Sequence, residues 1–395
     1  MKQSITIIGG GPAALMLASQ LDETKFDITI YEQNNALGRK FLVAGDGGFN
    51  LTHSEELEQF ILRYTPSDFF NPIISSFKNT DLQEWLKKIG IETYVGTSKR
   101  VFPTKGIKPI DVLNAILTEL KRKNVNIKPN HTWKGWQNDK LLFEAVGEIQ
   151  QSTINIFCLG GSSWKVTGSN GNWTNPFSEK GLEIVPFQAS NCAYEVKWKE
   201  EFTKIAEGKS LKNISVSCKS KSKKGEIVIT KFGLEGGAIY ALSQDIRKQL
   251  KYNKVAEIFI DLKPQLSFEQ IRDKFSARGN RSIKKLLIDR LNFDDTQIEL
   301  LKTLLNKDEF TDLELLAKKI KNLPITITSS APIDEAISTV GGIALSEIDS
   351  NFQLKKMPNN YVIGEMLDWD APTGGYLLQA CFSMGYSLAQ FLNKN

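Results

Sequence analysis

The stretch from Ile5 to Glu32 constrains this chain more than any other. Ile5-Thr6-Ile7-Ile8 is a short apolar, β-branched run, followed at once by Gly9-Gly10-Gly11-Pro12-Ala13-Ala14 and then by the helix-forming Leu15-Met16-Leu17-Ala18. The pattern reads as strand, glycine turn, helix. Gly9, Gly11 and Ala14 occupy the three places of G-x-G-x-x-G/A. The first allows a tight turn, the second lets a pyrophosphate approach the backbone, and the third lets the helix pack close to the strand. The free N–H groups and positive dipole end of that helix then face the phosphates. A second apolar run, Ile28-Thr29-Ile30-Tyr31, ends in Glu32, about 20 residues past the turn, where a carboxylate can accept hydrogen bonds from a ribose diol. An ordinary βα turn would explain the glycines, but not the strand, helix, second strand and acid together. The acid disfavours a 2′-phosphate, so FAD or NAD is expected at this site and not NADP.

A chain of 395 residues can bury a large core and divide into two or three domains. The charge balance is mild and spread out: 50 basic against 45 acidic residues, net +5. A nucleic-acid partner is therefore not expected. No apolar run approaches the roughly 20 residues that span a bilayer, and a strand that begins by residue 5 leaves no room for a signal peptide, so a cytoplasmic protein is expected. Cys158, Cys192, Cys218 and Cys381 form no C-x-x-C, and His53 and His131 are the only histidines. No metal site is expected, and demanding chemistry falls to a bound cofactor.

Downstream of Glu32, Leu37-Gly38-Arg39-Lys40 leads into the glycine-dense loop Gly45-Asp46-Gly47-Gly48-Phe49-Asn50-Leu51-Thr52. Arg39 and Lys40 offer charge to a pyrophosphate, and Asn50 offers a hydrogen bond to a flavin ring. Ordering so many glycines is costly unless something approaches them closely. Helices are predicted over 55–62, 80–90 and 110–123, and strands near 125–129, 131–137, 140–146 and 154–159. The last of these runs into Gly160-Gly161, as suits the ligand-facing edge of a doubly wound sheet. From about residue 187 short β-rich runs appear at 192–196, 213–218 and 226–230, with Cys218 to Gly225 as a lysine-rich hairpin turn. Gly233 to Gly237 opens a helix through Leu250, and 265–322 is helical and highly charged. Glycine chemistry returns at the end. Tyr361-Val362-Ile363 closes on Gly364-Glu365, and Thr373-Gly374-Gly375-Tyr376 starts an apolar helix, Leu377 to Leu392. Such a helix start offers free N–H donors to the carbonyl edge of a flavin, where charge accumulates on reduction. Glu365 is placed to hold a ribityl hydroxyl.

Taken together, Gly38-Arg39-Lys40-Phe41, Gly47-Gly48-Phe49-Asn50-Leu51-Thr52-His53-Ser54, Arg100-Val101-Phe102-Pro103, Leu159-Gly160-Gly161 and Gly364-Glu365-Met366-Leu367-Asp368 with Thr373-Gly374-Gly375-Tyr376 resemble the BaiN-like, or aminoacetone-oxidase-like, family of FAD flavoproteins. That family belongs to the two-dinucleotide-binding-domain superfamily, and the resemblance spans nearly the whole chain. It implies an α/β fold: a discontinuous Rossmann-like FAD-binding domain (1–187 and 335–395), an inserted β-rich domain (188–264 with 323–334) and a small helical cap (265–322). It places FAD contacts on Gly9, Gly11, Pro12, Ala13, Ala14, Glu32, Gly38, Arg39, Lys40, Asn50, Gly160, Gly161, Gly364, Glu365, Gly374, Gly375 and Tyr376, with Trp133 near the adenine through its backbone. The larger branch of the family carries Arg-Cys where this chain has Gly48-Phe49, and Asn where it has Leu377. The chain therefore looks like a smaller branch without a thiol beside the flavin. The steroid-enone reduction and amine oxidation of the larger branch are not carried over.

The expectation is an FAD-dependent oxidoreductase passing hydride at flavin N5 to or from a small organic substrate. That substrate is expected to enter near Phe49, Asn50 and the Gly233–Gly237 loop. No second complete dinucleotide fingerprint is present, so NADH or NADPH would act as a transient electron donor, or the enzyme is an oxidase of amines or other small molecules. A flavoprotein acting on RNA and a flavin-dependent sensor are the other readings. Lys40, His53 and Tyr376 are acid–base candidates by motif only, and the sequence assigns no catalytic residue or oligomeric state.

Overall fold

The fingerprint stretch folds as its pattern requires. In the computed structural model, which describes residues 2–43, 48–144, 149–150, 152–276 and 279–395, strand Gln3–Ile8 turns through Gly9–Gly11 into helix Pro12–Gln20. The strand is central in a five-stranded sheet ordered Asn360–Val362, Ile154–Phe157, Gln3–Ile8, Phe26–Tyr31, Asn126–Lys128, and every pairing is parallel. Parallel strands bury both faces, and Ile5, Ile7, Ile28, Ile30, Ile156 and Val362 are all buried. The register sets Ile8 beside Tyr31 and Phe157, and Phe157 beside Val362. Four carboxyl ends, leading into Gly9, Glu32, Cys158 and Ile363, therefore emerge along one edge. The chain leaves Gln3–Ile8 to one side for Phe26–Tyr31 and returns on the other as Ile154–Phe157, which makes the crevice between the ends of Gln3–Ile8 and Ile154–Phe157 the switch point where such sheets bind ligands.

Two helices lock the fingerprint helix in place. Helix Pro109–Arg122 turns Val112, Leu113, Ile116 and Leu120 inward. Its start is set by proline in the first turn and by the Asp111 carboxylate accepting the Lys108 amide at 2.7 Å. The C-terminal helix, Tyr376–Lys394, approaches so closely at Gly385 that a side chain there would meet the Ala13 carbonyl at 2.5 Å. Three strands, Thr52–His53, Arg100–Pro103 and Thr93–Val95, form a small antiparallel sheet with Arg100–Pro103 in the middle. Trp133–Gln137, Lys140–Phe143 and Ile149–Gln150 form another. Gly45, Asp46 and Gly47 of the glycine loop, and Ala145 and Val146 of the predicted strand 140–146, lie outside the described residues.

The chain divides into two compact units, 1–189 with 337–395, and 190–336. The second unit has a seven-stranded sheet in the order Leu323–Ile327, Ala256–Asp261, Ser210–Cys218, Lys221–Ile229, Gly233–Glu235, Tyr194–Glu195, Ser329–Ser330. Here the sequence expectation needs correction. The lysine-rich stretch is mainly strand and not turn: Cys218 pairs with Lys221, leaving a two-residue turn at Lys219-Ser220. Helix is likewise not continuous from Gly237 to Leu250, but breaks into Gly237–Tyr240 and Ser243–Asn253. The described residues of 268–321 contribute five helices, Phe268–Ser276, Ile283–Leu291, Asp295–Leu304, Lys307–Thr311 and Leu313–Lys321. Ser282, Asp294, Asn306 and Asp312 cap the starts of the last four with side-chain oxygens.

Candidate functional site

At the switch point two glycines act differently. Gly9 has φ +98°, and a side chain on it would meet the Cys158 carbonyl oxygen at 2.4 Å. Only glycine fits between the two strand ends. Gly11 has extended backbone, and a side chain there would have no atom within 4 Å. No side chain caps the helix that follows, and Pro12 sits in its first turn. Gly11, Pro12, Ala13 and Ala14 thus present an open, uncapped helix start, which has the shape and polarity of a pyrophosphate cradle.

Glu32, buried at the neighbouring strand end, is held in place. Its Oε2 accepts the Gly10 amide at 2.8 Å, and its Oε1 accepts the Asn34 amide at 2.8 Å and the Asn34 Nδ2 at 2.7 Å. A carboxylate has about four acceptor positions, so capacity remains for a sugar hydroxyl. Arg39 donates to Asn34 Oδ1 at 2.8 Å and pairs with no carboxylate among the described residues. Gly38 donates its amide to the Gly10 carbonyl at 2.9 Å and packs on Leu113, which ties the Arg39–Val43 helix to the fingerprint turn.

Lys40 does not stand free. Its Nζ donates to Glu365 Oε2 at 2.9 Å and to Ser163 Oγ at 2.8 Å. Glu365 Oε1 accepts the Thr339 amide at 3.1 Å, and Thr339 Oγ1 accepts the Ser162 amide at 3.2 Å. At Gly161 a side chain would strike Thr339 Oγ1 at 2.1 Å. Four chain segments, 40, 160–163, 339 and 364–365, are thereby pinned together. Gly364 lies against Ala13, and its carbonyl accepts the Trp369 indole N–H at 2.9 Å. Sequence reasoning missed Ser163 and Thr339. The Val340-Gly341-Gly342 run was the available signal, since Thr339 immediately precedes it.

The start of the C-terminal helix is a third constellation. Gly375 has φ +97°, and a side chain there would lie 2.5 Å from the Thr52 backbone; no side chain caps this helix either. Tyr376 Oη donates to Glu55 Oε1 at 2.5 Å, Arg63 grips both Glu55 oxygens at 2.9 and 2.8 Å, and Tyr64 Oη donates to the Tyr376 carbonyl at 2.9 Å. Burial opposes ionisation of Glu55, but the Arg63 and Tyr376 hydrogen bonds outweigh it and keep the carboxyl below its ordinary range. Burial, then the Glu55 contact, pushes the Tyr376 hydroxyl far above its ordinary value. The His53 ring stacks on Tyr376 at 5.4 Å, and its Nδ1 accepts the Glu55 amide at 3.2 Å. Burial lowers the proton affinity of His53, against the pull of Glu55. It is therefore neutral at pH 7 with its proton on Nε2.

Of the remaining expected residues, Asn50 makes no side-chain hydrogen bond to another described residue, and Phe49 is buried edge-on against Phe41 at 5.0 Å. Gly160 accepts the Trp173 indole N–H at its carbonyl, at 2.9 Å. Trp133 is buried among Trp136, Phe157 and Phe177, with its indole nitrogen unpartnered. Two residues earlier the His131 amide donates to the Glu32 carbonyl at 2.8 Å, so this segment runs beside the acid. Burial pushes the Cys381 thiol up to about 12 and Cys158 up as well, so neither is a thiolate at neutral pH. Asp368 accepts the Gly341 amide at 3.0 Å, and burial raises its carboxyl. In the second unit, burial raises Glu235 and, with Glu235 beside it, lifts the Tyr240 hydroxyl to about 12. No group of three or more His, Cys, Asp or Glu suited to a metal occurs among the described residues, and no helix there is long and apolar enough to cross a membrane.

A parallel sheet with an open glycine turn at its switch point and an acid at the next strand end defines a dinucleotide-binding protein of Rossmann type. The family described as HI0933-like protein Rossmann domain matches residues 3–391, and the chain belongs to it. This is the FAD flavoprotein family that the motifs resemble, and the protein is an FAD-dependent oxidoreductase. The chain is 23% identical over 408 residues to a 3-dehydro-bile acid delta(4,6)-reductase of Clostridium scindens, covering 97% of each chain. It is also 23% identical over 401 residues to a ribosomal RNA dihydrouridine synthase of Haemophilus influenzae, covering 98% of each. Among solved structures, 3-ketosteroid delta1-dehydrogenase from Sterolibacterium denitrificans overlays with a TM-score of 0.53 at 10% identity across the full length of both chains, a likeness of fold.

Proposed function

We propose that the chain holds one FAD along the carboxyl edge of its parallel sheet and uses it to exchange hydride with a small organic substrate, drawing electrons from transiently bound NADH or NADPH. The observation that carries this reading is the empty approach to Gly11 at an uncapped helix start, with Glu32 fixed at the adjoining strand end. Gly9, Gly11, Pro12, Ala13 and Ala14 take the pyrophosphate, helped by the Arg39 charge. Glu32 takes the adenosine ribose, and the chain at Trp133 borders the adenine. Gly38, Gly160, Gly161 and Gly364 keep the backbone close to the cofactor, while Lys40 and Glu365 hold the ribityl chain as a neutralised pair. Asn50, Gly374, Gly375 and Tyr376 belong to the flavin ring end. When bound, FAD supplies a two-electron hydride acceptor and donor. The Gly374–Tyr376 helix start aims unpaired N–H groups at charge that develops there, and Tyr376, clamped by Glu55, fixes its direction. Anaerobic addition of NADH or NADPH to the purified holoprotein is expected to bleach its flavin bands. Flavin that resists both nicotinamides, yet is reduced by an amine or other small substrate, would replace the reductase with an oxidase.

A second reading, an RNA substrate, is supported by relatives named ribosomal RNA dihydrouridine synthase that align over 98% of this chain. The hairpin Ser210–Ile229 also exposes Lys219, Lys221, Lys223 and Lys224. RNA affinity that falls steeply with salt would favour it, since each phosphate neutralised contributes to the slope. No measurable affinity at low salt would remove it.

A further inference from the structure

We propose that Arg100, which opens the Arg100-Val101-Phe102-Pro103 motif, is the charge-compensating residue for the pyrimidine edge of the flavin. The inference rests on the reading that the Gly374–Tyr376 helix start faces that edge. Arg100 stands in the middle strand of the small antiparallel sheet, directly across from His53. Its Nε lies 3.6 Å from where a side chain on Gly374 would begin. The residue is half-buried, yet its guanidinium has no carboxylate partner and no hydrogen-bond acceptor among the described residues. The nearby acid is already committed, because Glu55 is gripped by Arg63 on both oxygens and by Tyr376 on one. His53 is neutral and adds no charge of its own. A partly desolvated cation without a partner is costly, so its place beside an uncapped helix start calls for an anion. Two further features point to the same spot. The helix is 19 residues long, so its dipole end is fully developed. Thr52 Oγ1, on the residue whose backbone packs against Gly375, is wholly buried and has no hydrogen-bond partner.

The chemistry supplies the anion. A hydride from a nicotinamide brings two electrons and one proton to oxidised flavin, so the reduced ring carries one negative charge unless a second proton follows. Arg100 and the Gly374–Tyr376 amides meet that charge with donors already in place. Arg100 is a positioning and charge-compensating residue here, and hydride transfer itself needs nothing from it but the field.

The test is sulfite titration of the holoprotein, followed by absorbance. Sulfite adds reversibly to oxidised flavin and leaves a negative charge on the pyrimidine side without any turnover. Arg100→Gln is expected to retain FAD and to weaken sulfite binding about tenfold or more. Its two-electron midpoint potential is expected to fall by about 30 mV for each tenfold. Arg100→Lys, which keeps the charge, is expected to stay close to wild type in both. Sulfite affinity and potential unchanged in an FAD-loaded Arg100→Gln protein would overturn the proposal. If Arg100→Gln fails to hold FAD, Arg100→Lys decides. Near-wild-type sulfite affinity there supports a role for charge, and a tenfold loss overturns it. Absence of flavin from the wild-type protein would instead sink the reading of the helix start on which this rests.

Discussion

Gly9 and Gly11 stand two positions apart and are constrained by opposite things. Gly9 is fixed by the protein, since its positive φ and the Cys158 carbonyl exclude a side chain. Gly11 is constrained by nothing within the protein, which leaves the ligand as the reason for it. Gly9→Ala should therefore destabilise the apoprotein by about 1–3 kcal/mol, and by more if the strand ends must separate. Gly11→Ala should leave apoprotein stability within about 0.5 kcal/mol and weaken FAD binding. Thermal melts of both apoproteins and FAD titrations of both would separate the two; equal apoprotein losses would contradict this account. Both glycines were legible in the sequence, as were Glu32, Lys40 and Glu365, because each sits at a strand end or turn that a local pattern marks. Their partners were not. Lys40 meets Glu365 across 325 positions and Tyr376 meets Glu55 across 321, and no local periodicity encodes such pairings.

At the scale of elements, the C-terminal helix depends on a clasp from the segment 52–65. Tyr64 and Glu55 grip Tyr376, and Thr65 exchanges both backbone hydrogen bonds with Asp370, at 2.9 and 3.0 Å. Tyr376→Phe removes a hydrogen bond to an ionised carboxylate, worth about 1.5–3 kcal/mol, and should lower the denaturant midpoint accordingly; an unchanged midpoint would mean that the clasp does not hold the helix. The clasp also has a pH signature. The Glu55 carboxyl is held below its ordinary value in the folded state, so its stabilisation is complete above that value, about pH 4.3, and is lost as pH falls further through the folded pKa. Glu55→Gln should flatten the acid limb of the stability profile, which denaturation across pH 3–6 would reveal. Long apolar elements were readable in advance: Pro109–Arg122 and Tyr376–Lys394 fall within a residue or two of the periodic stretches, and the fingerprint helix starts three residues before Leu15, at Pro12. Helix Ser67–Ser76 was not, because Pro72 inside it reads as a breaker. Strand Lys221–Ile229 was only half seen. Its lysines favour solvent, and pairing to Ser210–Cys218, not propensity, makes it a strand.

For the whole molecule, the first unit is assembled from residues at both ends of the chain, and the residues proposed to hold the cofactor come from both parts of it. Binding there should stabilise this unit by mass action, by about 2.7 kcal/mol at FAD a hundredfold above Kd. That corresponds to roughly 5–10 °C in Tm for a unit of this size; a melt unmoved by saturating FAD would contradict it. The class of fold was legible because one βαβ signature fixes a parallel sheet and its ligand edge. The network that ties Ser163 and Thr339 to Lys40 and Glu365 was not legible, since it depends on which loops the closed sheet brings together.

The most direct test is the flavin content of the purified protein, read from its absorbance spectrum and from the supernatant after denaturation. One FAD per chain, present as isolated or after incubation with FAD, is the predicted result. A protein that shows no flavin bands under either condition would contradict the claim that the Gly9–Ala14 turn and the Gly364–Tyr376 segment enclose a single cofactor.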